Sequence, residues 1–199
     1  ILEQTNLSMP LRPAVILDLD ETVLDNTPFQ AKLVKEGLSY TDELWEAWVR
    51  EKKAGLVPGA LEFLLYARLR GVTPIYITNR VCQPESAQDA TVEVLQKLHV
   101  PFAKEYLYCR KSYADTSAKG PRRFQVTGQF RVLAVIGDDL NDFLTIPPAQ
   151  ANVAERARLM ESYGRFFGDR WFVIPNPDYG SWERAVGFSQ ERKLEALRQ

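Results

Sequence analysis

The chain has 199 residues, 45% of them hydrophobic and 26% charged, with 25 basic against 26 acidic side chains and a formal net charge of −1. That length can bury a core without staples and suggests a single domain over residues 1–199. The near-neutral balance excludes a global field that would attract a nucleic acid polymer or an anionic membrane, and no apolar run is long enough to span a bilayer.

The first residue is Ile1 rather than Met, so a processed N-terminus is expected, with any export signal removed alongside it. Residues 14–19 (Ala-Val-Ile-Leu-Asp-Leu) predict a buried strand. Residues 26–57 are too many for a plain βα loop and predict a small, mostly helical cap over the carboxyl edge of a sheet. Within it Thr41 can cap a helix carrying Leu44, Trp45, Trp48 and Val49. From Pro58 onward, Leu61, Leu64, Leu65 and Leu69 form a helical stripe that Gly71 closes. Residues 73–78 predict a second strand, with Pro74 near its start, where a missing donor is tolerated. Pro84 suits the first position of a helix whose face carries Ala87, Thr91, Val94, Leu95 and Leu98. Residues 105–109, 132–136 and 171–174 predict three more strands, the last stopped by Pro175; residues 149–167 and 189–198 predict helices. Strands alternating with helices imply βα units and a parallel sheet, an α/β architecture. Cys82 and Cys109 could pair or both be free.

In such a sheet ligands bind beyond the carboxyl ends of the strands, so polar residues gathered there attract notice. Asp18-Leu19-Asp20-Glu21-Thr22 follows the first strand. Two carboxylates this close need a counter-charge, and Mg²⁺, with its preference for hard oxygen ligands, is a natural one. Asp18 could then act as a nucleophile, forming an aspartyl-phosphate, and Asp20 could protonate the leaving oxygen and later activate water. The plain alternative is an acidic turn at a strand end. After the second strand, Thr78 and Asn79 could bind a phosphoryl oxygen, or simply make a turn. Lys119, in a basic cluster with Arg122 and Arg123, could offset a dianionic substrate's charge, or be a solvated surface lysine. Gly137-Asp138-Asp139-Leu140-Asn141-Asp142 follows the fourth strand. Asp138 can ligate the metal and Asp142, one turn on, can support it or Lys119. The alternative is a helix start decorated with acids that suit its dipole, a reading that fits Asp139 better than Asp138.

Other phosphatase chemistries lack their residues. His99 is the only histidine, too few for a histidine nucleophile or a histidine-rich metal pair. Neither cysteine has an arginine six positions on, since Gln88 and Asp115 stand there, and no Gly-x-x-x-x-Gly-Lys-Ser/Thr loop exists.

These motifs together resemble the haloacid dehalogenase (HAD) superfamily of phosphatases. More closely, Asp18-Leu-Asp-Glu-Thr-Val-Leu-Asp-Asn-Thr-Pro-Phe29, Trp45-x-x-Trp48-Val49, Val57-Pro-Gly-Ala60, Ile77-Thr-Asn-Arg80, Ser117-Ala-Lys119, Gly137-Asp-Asp-Leu-Asn-Asp-Phe143 and Pro175-Asn-Pro-Asp-Tyr-Gly-Ser-Trp182 resemble the class C bacterial acid phosphatases, the outer-membrane lipoprotein nucleotidases. The resemblance implies a Rossmann-like three-layer α/β/α fold with a cap at residues 26–57 and a C-terminal segment, residues 175–199, completing the substrate site. It implies a Mg²⁺-dependent phosphomonoesterase with Asp18 as nucleophile and metal ligand, and Asp20 as acid/base that binds the metal through its main-chain carbonyl. Thr78 and Lys119 would hold the phosphoryl group with help from Asn79, Asp138 would be the third protein ligand, and Asp142 would stand behind it. Trp45 and Tyr179 match the positions of an aromatic clamp on a nucleobase; a base stacked between rings gains about 1–3 kcal/mol without its edge being read. The plain alternative for Trp45 is a core residue beside Leu44 and Trp48.

The same resemblance implies nucleoside 5′-monophosphate substrates, a periplasmic or outer-membrane location, a lipid anchor outside this sequence, and room for a homodimer. Two departures stand out: Asp139 occupies a position where relatives often carry Asn, which opens the choice between Asp138 and Asp139 as ligand, and the stretch of residues 113–123 is longer than usual. The competing expectations are a cytoplasmic sugar- or small-metabolite phosphatase and a non-catalytic storage or binding relative; the latter typically loses the first aspartate, which is present here as Asp18.

Overall fold

A run of apolar residues, Ala14 to Leu17, buried on both faces, forms the end of the sheet's central strand and delivers Asp18 to the sheet's carboxyl edge. The computed structural model describes residues 11–86, 88–110, 117–146, 152–187 and 189–196. Strand β1 (Arg12–Leu17) turns into the two-residue β2 (Leu24–Asp25), followed by helices α1 (Thr27–Glu36) and α2 (Asp42–Glu51) and by β3 (Gly55–Leu56). Then come α3 (Ala60–Leu69), β4 (Thr73–Ile77), α4 (Ala90–Lys97), β5 (Leu107–Tyr108), α5 (Gly120–Thr127) and β6 (Phe130–Gly137). A 3₁₀ turn (Leu140–Asp142), α6 (Val153–Tyr163), β7 (Trp171–Val173), α7 (Ser181–Val186) and α8 (Gln190–Ala196) complete the described chain.

Five strands form a parallel sheet in the order β5-β4-β1-β6-β7. The chain winds outward in both directions from β1, so the crevice at its carboxyl end is the topological switch point. Alternation along β1 sends Ala14 and Ile16 to one face, with Ile75, Ile77, Val126 and Phe130. Val15 and Leu17 go to the other, with Leu64, Tyr76, Val92 and Leu95. Helices α3 and α4 therefore cover one face and α5 the other, giving the expected three layers. Both faces being covered is why β1 reads as a continuous apolar run. Leu64 is fully buried, and truncating it to alanine would cost about 2–5 kcal/mol.

The cap consists of α1 and α2, and its base is closed by an antiparallel pairing of Leu24 with Leu56 and Asp25 with Gly55. Thr41 caps α2 as expected, its hydroxyl accepting the Leu44 N–H at 3.2 Å. Trp48 is buried and stacks on Phe29 with ring centroids 6.0 Å apart. Lys52 reaches Glu93 of α4 at 2.6 Å, fastening the cap to the core domain.

The helix expected at Pro84 begins instead at Ala90, because the Asp89 carboxylate accepts the Thr91 and Val92 N–H groups and sets the N-terminus there. Its buried face still carries Thr91, Val94 and Leu95; Leu98 is the residue that ends it. Ala87 lies outside the described residues. The strand expected over 105–109 is shorter, Leu107–Tyr108. Of the helix expected over 149–167, Val153–Tyr163 is α-helical, with Asn152 as its cap, and Gly164–Phe166 tightens to 3₁₀; residues 149–151 lie outside the described set. Residues 113–116 of the long stretch before α5, and 197–198 of the last expected helix, also lie outside it. Cys82 and Cys109, on the segments after β4 and β5, form a disulfide with their Cα atoms 5.6 Å apart. Among the described residues, no helix is long and apolar enough to cross a membrane.

Candidate active site

The parallel ladder continues one residue past β1, with the Asp18 N–H donating to Ile136 O at 3.0 Å. The chain then turns tightly: Leu19 O accepts the N–H groups of Thr22, Val23 and Leu24, and Glu21 takes a left-handed conformation at φ 56°. Leu19, Val23 and Leu24 are fully buried beneath this turn, which anchors the polar face carrying Asp18, Asp20 and Glu21.

Lys119 stands at the N-terminal end of α5 with its ammonium buried between two carboxylates. It donates to Asp18 Oδ1 and, at 2.6 Å, to Asp142 Oδ1. The plain reading of a solvated lysine is therefore wrong for this position. Its two neighbours in the basic cluster brace the adjoining loops. Arg122 donates to Thr78 O and, at 2.7 Å, to Asn79 Oδ1. Arg123 donates to Asn141 O at 3.0 Å and Asp142 O at 2.9 Å. One short helix thus ties the loop after β4 to the loop after β6.

After β6, Gly137 leaves room for Asp142: a Cβ at position 137 would stand 2.6 Å from Asp142 Cβ, closer than real side chains approach. Carboxylate oxygens of Asp18, Asp138 and Asp142 lie within 4.8 Å of one another. Asp139 is used differently. It accepts from the Asn141 N–H at 2.9 Å and the Asn141 side chain at 2.8 Å, and from Ser181 through its N–H at 2.6 Å and its hydroxyl at 2.7 Å. The geometry thus sets Asp138 beside Asp18 and leaves Asp139 to cap the turn and hold α7.

Among the described residues, the acidic group carries more negative charge than the Lys119 ammonium offsets. Burial pushes the Asp18 carboxyl well above its ordinary value; Lys119 opposes this, while Asp142, Asp138 and Asp20 add to it. Burial, then the charge of Asp142, pushes Asp138 up to about 6, although the Asn176 amide donates to it at 2.8 Å. Burial alone would lower Lys119, but the charges of Asp142 and Asp18 outweigh it and hold the ammonium protonated. Hard carboxylate oxygens with surplus negative charge are the donor set a divalent cation takes.

Asp20 is held elsewhere, in a fork of Arg80 contacts at 2.7–3.1 Å, with the Asn26 amide donating at 2.9 Å. Thr78 is fully buried, its Oγ accepting the Arg80 N–H at 3.1 Å, while Asn79 is exposed beside it. Trp45 is half-buried on α2 with the Arg80 guanidinium 5.4 Å from its ring, so Trp48 is the core member of the pair. Tyr179 donates its hydroxyl to Glu21 Oε2, and burial followed by the charge of Asp20 pushes Glu21 up to about 8. Asp18, Asp20, Trp45, Asn79, Lys119, Asp138 and Tyr179 all line one cleft between the cap and the sheet edge.

Sequence reasoning missed Arg80, Asn26, Glu21 and Asn176. Each lies inside or beside a motif, but a polar residue in a turn carries no signal of its partner until the fold brings the two together.

The family model described as HAD superfamily, subfamily IIIB (acid phosphatase) matches residues 2–182. The class C acid phosphatase of Bacillus anthracis is 33% identical, with a TM-score of 0.78 over 96% of this chain and 78% of that one. A structure of the same enzyme with tungstate bound gives a TM-score of 0.80 at the same identity, over 96% and 80% of the two chains. This chain belongs to the subfamily IIIB acid phosphatases of the HAD superfamily and is a phosphomonoester hydrolase of the class C type.

Proposed function

We propose that the enzyme hydrolyses nucleoside 5′-monophosphates through an aspartyl-phosphate on Asp18. The observation that carries this reading is the ammonium of Lys119 touching Asp18 at the end of β1, beside Asp138 and at the floor of a cleft that Trp45 and Tyr179 also line. Tungstate, bound by the Bacillus anthracis enzyme, is a tetrahedral oxyanion like phosphate, which supports an oxyanion site in the corresponding cleft here.

The donor set fits a divalent cation, and we assign Mg²⁺ to it: Asp18, Asp138 and the main-chain carbonyl of Asp20 would hold it, and when bound it would supply positive charge against the phosphate. Lys119 neutralises part of the charge on Asp18 and on the entering phosphoryl group. Asn79, its carbonyl held by Arg122, has its amide N–H groups to offer a phosphoryl oxygen, and Thr78 its hydroxyl proton. Asp18 attacks phosphorus in line while Asp20 gives a proton to the departing alcohol oxygen. Asp20 then takes a proton from water as that water attacks phosphorus and frees Asp18. Positioning and charge stabilisation supply most of the acceleration.

Aromatic walls favour a stacked base over a bare sugar, and stacking tolerates several nucleobases. The segment of residues 175–181 completes this wall: Asn176 meets Asp138, Tyr179 meets Glu21 and Ser181 meets Asp139. Export to the periplasm or outer membrane accords with the disulfide, since such bonds persist in oxidising compartments; the lipid anchor we propose rests on the family resemblance alone.

Turnover of nucleoside 5′-monophosphates compared with sugar phosphates tests the substrate class. The expected result is a preference for nucleotides that Trp45→Ala reduces through KM. A strong preference for sugar phosphates, indifferent to Trp45→Ala, would favour a small-metabolite phosphatase instead.

A further inference from the structure

Asp20 is gripped unevenly. Its Oδ1 receives Arg80 Nη2 at 2.7 Å, Arg80 Nε at 3.0 Å and Asn26 Nδ2 at 2.9 Å, whereas, among the described residues, Oδ2 receives only Arg80 Nε, at 3.1 Å. Three donors saturate the first oxygen; the second keeps lone pairs to spare. The grip is rigid for reasons that can be traced outward. The Arg80 side chain is only 2% exposed, and that of Asp20 17%. Asn26 is fully buried, and its Oδ1 accepts from Trp48 Nε1 at 2.8 Å. An indole nitrogen only donates, so the amide oxygen of Asn26 must face Trp48 and its NH₂ group must face Asp20. Arg80 Nη2 adds a contact to the same amide oxygen at 3.3 Å, and the Trp45 ring closes over the guanidinium. Trp45 and Trp48 both belong to α2, and Asn26 is the residue that opens α1.

Resting on the reading of Asp20 as acid/base, we infer that Arg80 is a positioning residue that aims Asp20, with Asn26 and Trp48 linking that aim to the cap. Oδ2 is then the oxygen that handles the proton. As the phosphorus–oxygen bond to the substrate breaks, Oδ2 passes its proton to the departing alkoxide. In the second step it takes a proton from water as the water oxygen bonds to phosphorus, and the bond between Asp18 and phosphorus breaks, releasing phosphate, restoring the Asp18 carboxylate and leaving Asp20 protonated for the next cycle. Arg80 touches none of the reacting atoms in this scheme; it acts only through Asp20. Seating of the cap helices, through the two tryptophans, is what keeps the acid in line with its target.

The dependence of rate on the leaving group separates this role from a structural one. An aryl phosphate releases a stable phenolate and needs little help from a proton; an alkyl phosphate needs the proton as its bond breaks. General acid catalysis is worth on the order of 10²–10⁴-fold. Arg80→Met should therefore lower kcat/KM, which covers only the steps up to release of the alcohol, by about 10–100-fold on alkyl phosphates and by no more than about 3-fold on a nitrophenyl phosphate. Trp48→Phe keeps an aromatic ring on α2 but removes the donor to Asn26, and should show the same pattern, more weakly, should Arg80→Met fail to fold. In an Asp20→Asn background Arg80→Met should add less than about 2-fold, because two residues acting as a unit are not additive. A loss uniform across leaving groups in both variants, or a full additional loss in the Asp20→Asn background, overturns the inference while leaving Asp20 as acid/base. An Asp20→Asn enzyme with undiminished alkyl phosphatase activity overturns the parent assignment itself.

Discussion

The Lys119 ammonium lies 2.6 Å from Asp142 Oδ1, and Asp142 Oδ2 in turn accepts the Asp139 N–H at 2.9 Å. Asp142 thus carries the position of the loop after β6 into the lysine that touches the nucleophile. Removing its charge while keeping its shape leaves Lys119 paired with Asp18 alone. Asp142→Asn should fold normally and lose roughly 10–100-fold in turnover, the usual cost of disturbing a group that orients a metal-site residue. Steady-state kinetics beside a thermal melt check this; undiminished turnover would mean that Lys119 needs no second carboxylate.

Asp18 is buried among like charges, so neutralising it relieves repulsion even as it removes the nucleophile. Asp18→Asn should abolish turnover and leave the fold intact, with the thermal midpoint in chelator unchanged or raised. Adding Mg²⁺ should raise the midpoint of the wild-type enzyme, because a ligand that binds only the folded state stabilises it. Asp138→Asn should weaken that response, and Asp139→Asn should leave it largely intact. Calorimetry or melts across a Mg²⁺ titration read this out, and an Asp139→Asn variant that lost the response would reverse the choice between the two aspartates.

The parallel sheet was legible because β1 and β4 are buried on both faces over residues 14–17 and 74–77 and must be apolar there; β6 reads as an apolar run too, although Arg131 and Leu133 on it are exposed. The candidate site was legible as a gathering of residues for a related reason: a strand end at a switch point leaves Asp18 and Asp138 few places to go, whereas Thr78, just past β4, is fully buried and does not line the cleft. Lys119 was legible only by membership of the whole pattern, since a lysine before a helix has no local mark of burial. Pro84 misled because its suitability for a first helical turn is weaker than a carboxylate that accepts two N–H groups, and Asp89 supplied that carboxylate. Arg80 and Asn26 stayed hidden because their meaning lies in contacts with Asp20 across 60 and 6 positions, which no spacing rule encodes. The pairing of Cys82 with Cys109 is equally a tertiary fact: β4 and β5 had to be neighbours first.

Glu21 gives the enzyme a pH dependence with a definite sign. Its carboxyl sits at about 8 in the folded protein against an ordinary 4.5, chiefly through burial. The folded state then holds the proton more tightly than the unfolded one, so the contribution is fully present below the unfolded value and is lost as pH rises through about 8. In chelator, the wild-type thermal midpoint should fall between pH 5 and 8.5, and Glu21→Gln should flatten that slope. A variant with the same slope as wild type would place the dependence on another group, with Asp18, held well above its ordinary value by burial, and Asp138, at about 6, the next to replace.

The disulfide closes the segment between β4 and β5, a sequence separation of 27, directly beyond the loop that holds Thr78, Asn79 and Arg80. Constraining a loop of that size in the unfolded chain is worth roughly 3–4 kcal/mol on a chain-entropy account. The native ladder is fastened at the same place, with Thr78 N–H donating to Tyr108 O and Arg110 N–H to Arg80 O, both at 3.1 Å. Replacing both cysteines by alanine should therefore lower stability by about that amount while leaving Thr78 and Arg80 hydrogen-bonded where they are. The expected signature is a lower denaturation midpoint, with kcat and KM close to wild type well below the melting temperature. Loss of kcat in a variant that is still fully folded would mean that the covalent link, and not the ladder, holds the Arg80 loop in its working position.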